Sequence, residues 1–228
     1  MKPFRPPPAR VTRTLLIACI GVQCLLLVLG PTAAERVILG AGLVPARVTG
    51  AVIGLDGAVP APLTFLTHMF LHGGIVHLAM NMMFLAWVGQ QVEWAFGPVR
   101  LSLLLLAGGV AGGLLQVAVT PASTVPIVGA SGGISAVFAA YALLFATAGE
   151  APARILGVRI SGEMVRALRY AALWIGLQLL TAVAFDQPGG NGLGVGGIAI
   201  WTHIGGFVAG LLLGLPLVRG RSEADFRD

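Results

Sequence analysis

Long apolar runs separated by short polar breaks dominate the chain. Six of them approach the roughly 20 residues a helix needs to cross a bilayer: Thr14–Leu29, Ile75–Trp94, Leu101–Thr120, Ala130–Ala148, Leu168–Phe185 and Val195–Val218. Residues 31–74 are less uniformly apolar and contain Pro45, Pro60 and Pro62. They read as a long loop with interfacial pieces. No clear small-residue cleavage site follows the first run, so it is expected to be a span and not a removable signal. The expected organisation is a basic tail over residues 1–13, one six-span bundle over 14–218 with a long first extracytoplasmic loop at 31–74, and a C-tail over 219–228.

Composition agrees with this pattern. Of 228 residues, 57% are hydrophobic and 10% charged, where a soluble domain carries about 25% charged residues. Mean hydropathy is +0.91. The fold class expected is therefore an all-α membrane protein. Its 33 glycines suggest a tightly packed bundle, because small residues let membrane helices approach closely. The net charge of +5 and pI near 10.2 could point to nucleic acid, but the positive charge sits in loops and tails. Lys2, Arg5, Arg10, Arg13, Arg100, Arg154, Arg159, Arg166, Arg169, Arg219, Arg221 and Arg227 all fall on one side of a six-span map, and only Arg36 and Arg47 on the other. By the positive-inside rule both termini are expected to be cytoplasmic. Cys19 and Cys24 lie five apart in one span, face different directions and should not pair.

Candidate chemistry appears where polar residues interrupt the apolar runs. Ser131 stands in Gly129-Ala130-Ser131-Gly132-Gly133, at the non-cytoplasmic start of the fourth span. Thr202-His203 interrupts the sixth, with His203 roughly 12 Å in from the same side at 1.5 Å per residue. His68, His72, His77 and Asn81 also map to the outer half. Polar groups at such depth are costly and mark candidate sites. Serine with a nearby imidazole base is the minimum set for nucleophilic acyl transfer. His203 is the candidate base. Gly206 and Gly210 follow it on one helical face and could pack on a small surface of the fourth span made by Ser131, Ser135 and Ala142. His77 and Asn81, four apart, can both donate hydrogen bonds to an oxyanion, as can the free backbone N–H of Ser131. No third acid is convincing, since Glu93 lies at the cytoplasmic end of its span and Asp186 in an outer loop, so a Ser-His dyad is expected. The same residues would also serve helix packing and interhelical hydrogen bonding. Glu93 is expected to bond backbone groups or Arg100 in a structural turn. His68 and His72 lack accompanying carboxylate or cysteine ligands, so no metal and no cofactor is expected.

Taken in order, these segments resemble the rhomboid intramembrane serine proteases over about Thr64 to Gly214. The resemblance rests on His72-x4-His77-x3-Asn81, on Gly129-Ala130-Ser131-Gly132, on His203-Ile204-Gly205-Gly206 with Gly210, and on the Glu93…Gly97…Arg100 spacing. It implies a six-helix bundle that hydrolyses peptide bonds in or near the transmembrane segments of single-span or polytopic membrane proteins. Ser131 would be the nucleophile and His203 the general base. His77, Asn81 and the Ser131 N–H would line the oxyanion hole, with His72, Gly129, Gly132, Gly206 and Gly210 supporting. Water would reach the site from the non-cytoplasmic side, and substrates would enter past the fifth span. The compact six-span form suggests a bacterial cell membrane. Two positions depart from the family pattern. Leu63-Thr64 replace a Trp-Arg pair in the loop. Ser135 stands where an aromatic usually supports the catalytic histidine, so support is expected from Ser135 itself or from Phe138.

Two other classes compete. A catalytically silent relative that binds or escorts membrane proteins should have lost the nucleophile or base, and this chain keeps both. A transporter or channel should show paired charges or broken helices in related halves, and the sequence has neither.

Overall fold

The computed structural model describes residues 7–53, 56–145, 153–155, 158–160, scattered positions from 162 to 176, and 199–219. The described residues are almost entirely helical. The main helices are α1 (Arg10–Leu29), α2 (Pro31–Ala41), α3 (Pro45–Val48), α4 (Thr64–Thr67), α5 (Ile75–Phe84), α6 (Gln90–Phe96), α7 (Pro98–Val119), α8 (Ser131–Phe145) and α9 (Ile200–Arg219). Ala153–Ile155 and Val158–Ile160 form a short antiparallel ribbon, β1–β2, in the predicted connection between the fourth and fifth spans.

Four helical stretches among the described residues are long and apolar enough to cross a membrane: Arg10–Leu29, Ile75–Phe96, Pro98–Val119 and Ile200–Leu217. The apolar α8 is shorter. Most of the predicted fifth span lies outside the described residues, although Arg169, Tyr170, Ala172, Leu173, Trp174 and Gly176 are helical.

Several boundaries differ from the hydropathy reading, each for a physical reason. Helix α1 starts at Arg10, before the predicted Thr14, because Glu93 of α6 caps it. The carboxylate oxygens accept the Val11 and Thr12 amides at 2.9 Å and the Thr12 hydroxyl at 2.7 Å. These are first-turn donors with no intrahelical acceptor, and the negative charge also suits a helix N-terminus. Arg100, the alternative expected partner, instead reaches the Phe96 carbonyl. Replacing Glu93 by Ala is expected to cost roughly 2–3 kcal/mol by analogy with hydrogen bonds to charged groups. A thermal melt in detergent checks this; an unchanged midpoint would show that the cap is dispensable.

The second predicted span is not one regular helix. Leu85–Gly89 is π-helical and joins α5 to α6. Thr12 packs at Gly89, where a Cβ would stand 3.2 Å from its Oγ1.

The 31–74 segment is far more ordered than a loop. Arg47 donates to the Leu39, Gly40 and Val59 carbonyls, and Thr67 Oγ1 donates to Ala41 O. Arg47 thus anchors this segment, which includes Leu63-Thr64. The segment also grips the chain just before α8. Leu43 and Ile127 exchange backbone bonds at 3.0 and 2.8 Å, and the Gly129 amide donates to His68 O at 2.9 Å.

The centre of the bundle is a glycine-lined junction of α7, α8 and α9. Added Cβ atoms at Gly206 and Gly210 would overlap the carbonyls of Gly132 and Ala136, and one at Gly112 would overlap the Thr202 carbonyl. The contact surface on α8 is therefore Gly132, Ala136 and Ala140, not the predicted Ser131, Ser135 and Ala142. Ser131 stands one residue before Gly132, half-buried at the edge of the contact. Around the junction, Leu85, Val88, Val92, Leu101, Leu104, Ile134, Val137 and Phe138 form the buried core. Large side chains such as Ile17, Val28, Leu103 and Leu212 point outward. That outward apolar surface, with the apolar helices, makes the chain an integral membrane protein. Cys19 is buried, Cys24 is exposed and both are free.

Candidate active site

Ser131 is the first residue of α8. Its N–H is one of the amides that the helix cannot satisfy. The approach to it depends on Gly129, whose φ of +120° is a glycine conformation. A Cβ there would also stand 2.8 Å from His77 Nε2, so His77 packs directly on the backbone two residues before the serine.

His203 lies in the first turn of α9. Its Nε2 is 2.7 Å from Ser131 Oγ. In the tautomer with the proton on Nδ1, the serine hydroxyl donates to Nε2, the arrangement a general base requires. The close approach of Gly206 and Gly210 to α8 sets this distance. His203 is only 8% exposed, and its Nδ1 has no hydrogen-bond partner among the described residues. Among the described residues, ring packing orients the imidazole.

That packing comes from a residue the sequence reading missed. Ser135 turns away and donates to the Ser131 carbonyl at 2.7 Å. Trp174 lies edge-to-face with His203, ring centroids 6.4 Å apart at 69°. Phe138 stacks on Trp174 at 5.1 Å, and Phe84 meets it edge-on at 5.2 Å. Phe138 reaches the imidazole through Trp174, while the Ser135 hydroxyl is bonded to the Ser131 carbonyl. The available signal was Tyr170 and Trp174, four apart in the fifth apolar run; Tyr170 also packs on Phe138. The glycines of α7 were missed as well. Gly108 and Gly112 recur at helical spacing and form the third wall of the junction.

His77 sits in the first turn of α5. The Gly73 amide makes a long 3.4 Å bond to its Nδ1, which assigns the proton to Nε2, the nitrogen beside Gly129. Asn81 is one turn further along, buried, with its Nδ2 donating to the His77 carbonyl at 2.9 Å. His72 meets His77 edge-on, centroids 5.3 Å apart. His68 donates from Nδ1 to Thr64 O at 2.8 Å in the matching tautomer. Burial pushes His68 down to about 4. Burial, with His77 nearby, pushes His72 down to about 3. Both rings are neutral at ordinary pH.

The structure therefore brings Ser131, His203 and His77 together. Asn81 bonds the His77 carbonyl one turn along, His72 meets the His77 ring edge-on, and Gly129, Gly132, Gly206 and Gly210 permit the approaches. Chemically, this is a hydroxyl held against an acceptor nitrogen, with N–H donors beside it.

Sequence comparisons agree with this picture. A family profile described as Rhomboid domain matches residues 60–220. RHOMBOID-like protein 4 of Arabidopsis thaliana is 36% identical over 150 residues, covering 65% of this chain and 32% of that protein. Rhomboid-related protein 3 of Homo sapiens is 30% identical over 160 residues, covering 70% and 37%. Rhomboid protease GluP of Bacillus subtilis (strain 168) is 34% identical over 151 residues, covering 66% and 26%. The matched region thus spans about a quarter to just over a third of these relatives.

Proposed function

The chain belongs to the rhomboid family, and from that premise we propose that it is an intramembrane serine protease. The observation that carries the proposal is the 2.7 Å contact between Ser131 Oγ and His203 Nε2. Substrates would be single-span or polytopic membrane proteins, cut in or near a transmembrane segment. In this reading Ser131 Oγ attacks the scissile carbonyl carbon and passes its proton to His203 Nε2. The oxyanion is held by His77 Nε2–H, the free amide hydrogen of Asn81 and the Ser131 N–H. On collapse the C–N bond breaks, and the Nε2 proton goes to the departing amine. Water then attacks the acyl-serine, again losing a proton to His203, and releases the acid with Ser131 restored. His203 alternates as base and acid, so no third carboxyl is required.

The arrangement favours an enzyme over a silent escort protein, which would have no need for a serine hydroxyl aligned on an imidazole. The proposed topology has six spans, the fifth within 168–185, with both termini cytoplasmic and the site opening to the opposite face. The lysine and arginine distribution supports it. A bacterial cell membrane is the proposed location. The test is to incubate the purified protein with a single-span membrane protein and a fluorophosphonate probe. Cleavage together with probe attached at Ser131 is expected; labelling at another residue would sink the assignment.

Trp174 gives a second prediction. Aromatic pairs contribute about 0.5–1.5 kcal/mol beyond area burial, so Trp174→Ala is expected to lower kcat by about 2–10-fold, while Trp174→Phe stays near wild type. If steady-state cleavage assays show equal rates for the Ala and Phe variants, aromatic support of His203 is refuted.

A further inference from the structure

Beside His72 lies a cavity of about 180 Å³. It is bounded by the last turns of α1, the start of α2 and the His72–Gly74 turn. Its walls are mostly apolar, Leu26, Leu27, Ala34 and Ile38 among them. Two polar side chains also line it. Gln23 is 7% and His72 1% exposed. Gln23 Oε1 has no hydrogen-bond partner among the described residues, and neither ring nitrogen of His72 makes a well-formed bond there, the Phe70 backbone being the group that interacts with the ring.

An apolar cavity of this size stays dry, but one with several unsatisfied polar atoms takes up water, each molecule making about three hydrogen bonds. Buried polar atoms without partners are costly, and water is the usual remedy. The available groups suit it. Gln23 Oε1 accepts. A neutral His72 ring offers one N–H donor and one acceptor nitrogen. Leu27, at the rim, is largely exposed, which gives an entry path.

The cavity is one ring away from the proposed site. His72 contacts His77 edge-on at 5.3 Å, the adjoining Gly73 amide bonds His77 Nδ1, and His77 packs on Gly129. We propose that this cavity is a structural hydration site. Water held between Gln23 and His72 fixes the His72 ring, which in turn holds His77 in its donating orientation. Gln23 and His72 are then positioning residues for the oxyanion, acting without touching substrate. The catalytic consequence rests on the protease reading; the water site itself does not.

The experiment uses the full chain in lipid with 15N-labelled histidine, of which there are four. Water-edited solid-state NMR is expected to show transfer from ordered water to the His72 ring. That transfer should vanish in Gln23→Leu and also in Ala34→Met, which fills the cavity without removing a polar group. Both variants should show shifted His77 ring signals. Both should lower kcat by about tenfold at unchanged KM and weaken a peptide aldehyde, which mimics the oxyanion, by a similar factor. Absence of water transfer to His72 in the unmodified protein overturns the site, as does transfer from lipid chains in its place. If a variant fails to fold, the measurement on unmodified protein still decides. Should Gln23→Leu keep full kcat in an enzyme that still requires Ser131, only the positioning role fails. Should cleavage not require Ser131 at all, the protease reading fails instead.

Discussion

Ser131→Ala is expected to reduce cleavage of a membrane substrate by roughly ten-thousandfold to a millionfold, to the level of background. Removal of the hydroxyl deletes the proposed nucleophile, which is aligned on His203, while the proposed oxyanion donors can still bind a substrate carbonyl. His203→Ala should be of similar severity, because a serine without a base at 2.7 Å is a weak nucleophile. The double variant should be no worse than either single one, since the two groups act as a unit. Quantified cleavage in detergent over long incubations measures all three. A Ser131→Ala protein within a hundredfold of wild type, or a double variant with multiplied losses, would rule out the dyad.

The second large effect is expected from a residue with no side chain. At Gly206 a Cβ would overlap the Gly132 carbonyl, so Gly206→Ala already forces α8 and α9 apart, and Gly206→Val does so further. The obstacle is backbone, which cannot rotate aside as a flexible side chain can. Overpacking of this kind costs about 1–3 kcal/mol, occasionally more. Activity should fall further than stability alone explains, because separation of the helices also lengthens the Ser131–His203 contact. Thermal unfolding in detergent and cleavage, measured on the same samples, test this. A Gly206→Ala protein with wild-type midpoint and rate would show that the helices are not in backbone contact there. Gly21, with nothing within 4 Å, is the control: Gly21→Ala should leave both unchanged.

Apolar runs and local spacing carried much of this protein's description. A bilayer accepts only segments whose backbone is internally satisfied, so spans are legible from composition alone, and four of those marked are long helices among the described residues. Local spacing likewise placed His77 and Asn81 one turn apart and Ser131 at a helix start. The pairing of Ser131 with His203 was legible through the glycine face that follows His203, but other interactions between distant segments were not. Hydropathy could not show that Glu93 completes α1 from 81 or more residues away, because a cap in trans leaves no local pattern. Nor could it show that Arg47 organises the 31–74 segment, or that this segment grips Ile127 and Gly129. Helical periodicity identified glycine faces on α9 but gave the wrong surface of α8, since the rotation of a helix about its axis is fixed only by what it packs against. The support of His203 was hidden for the same reason. The chain determined that a serine and a histidine would lie in apolar helices. Tertiary packing alone, through backbone contact at Gly206 and Gly210 and the Trp174 ring, decided that they meet and what holds the imidazole there.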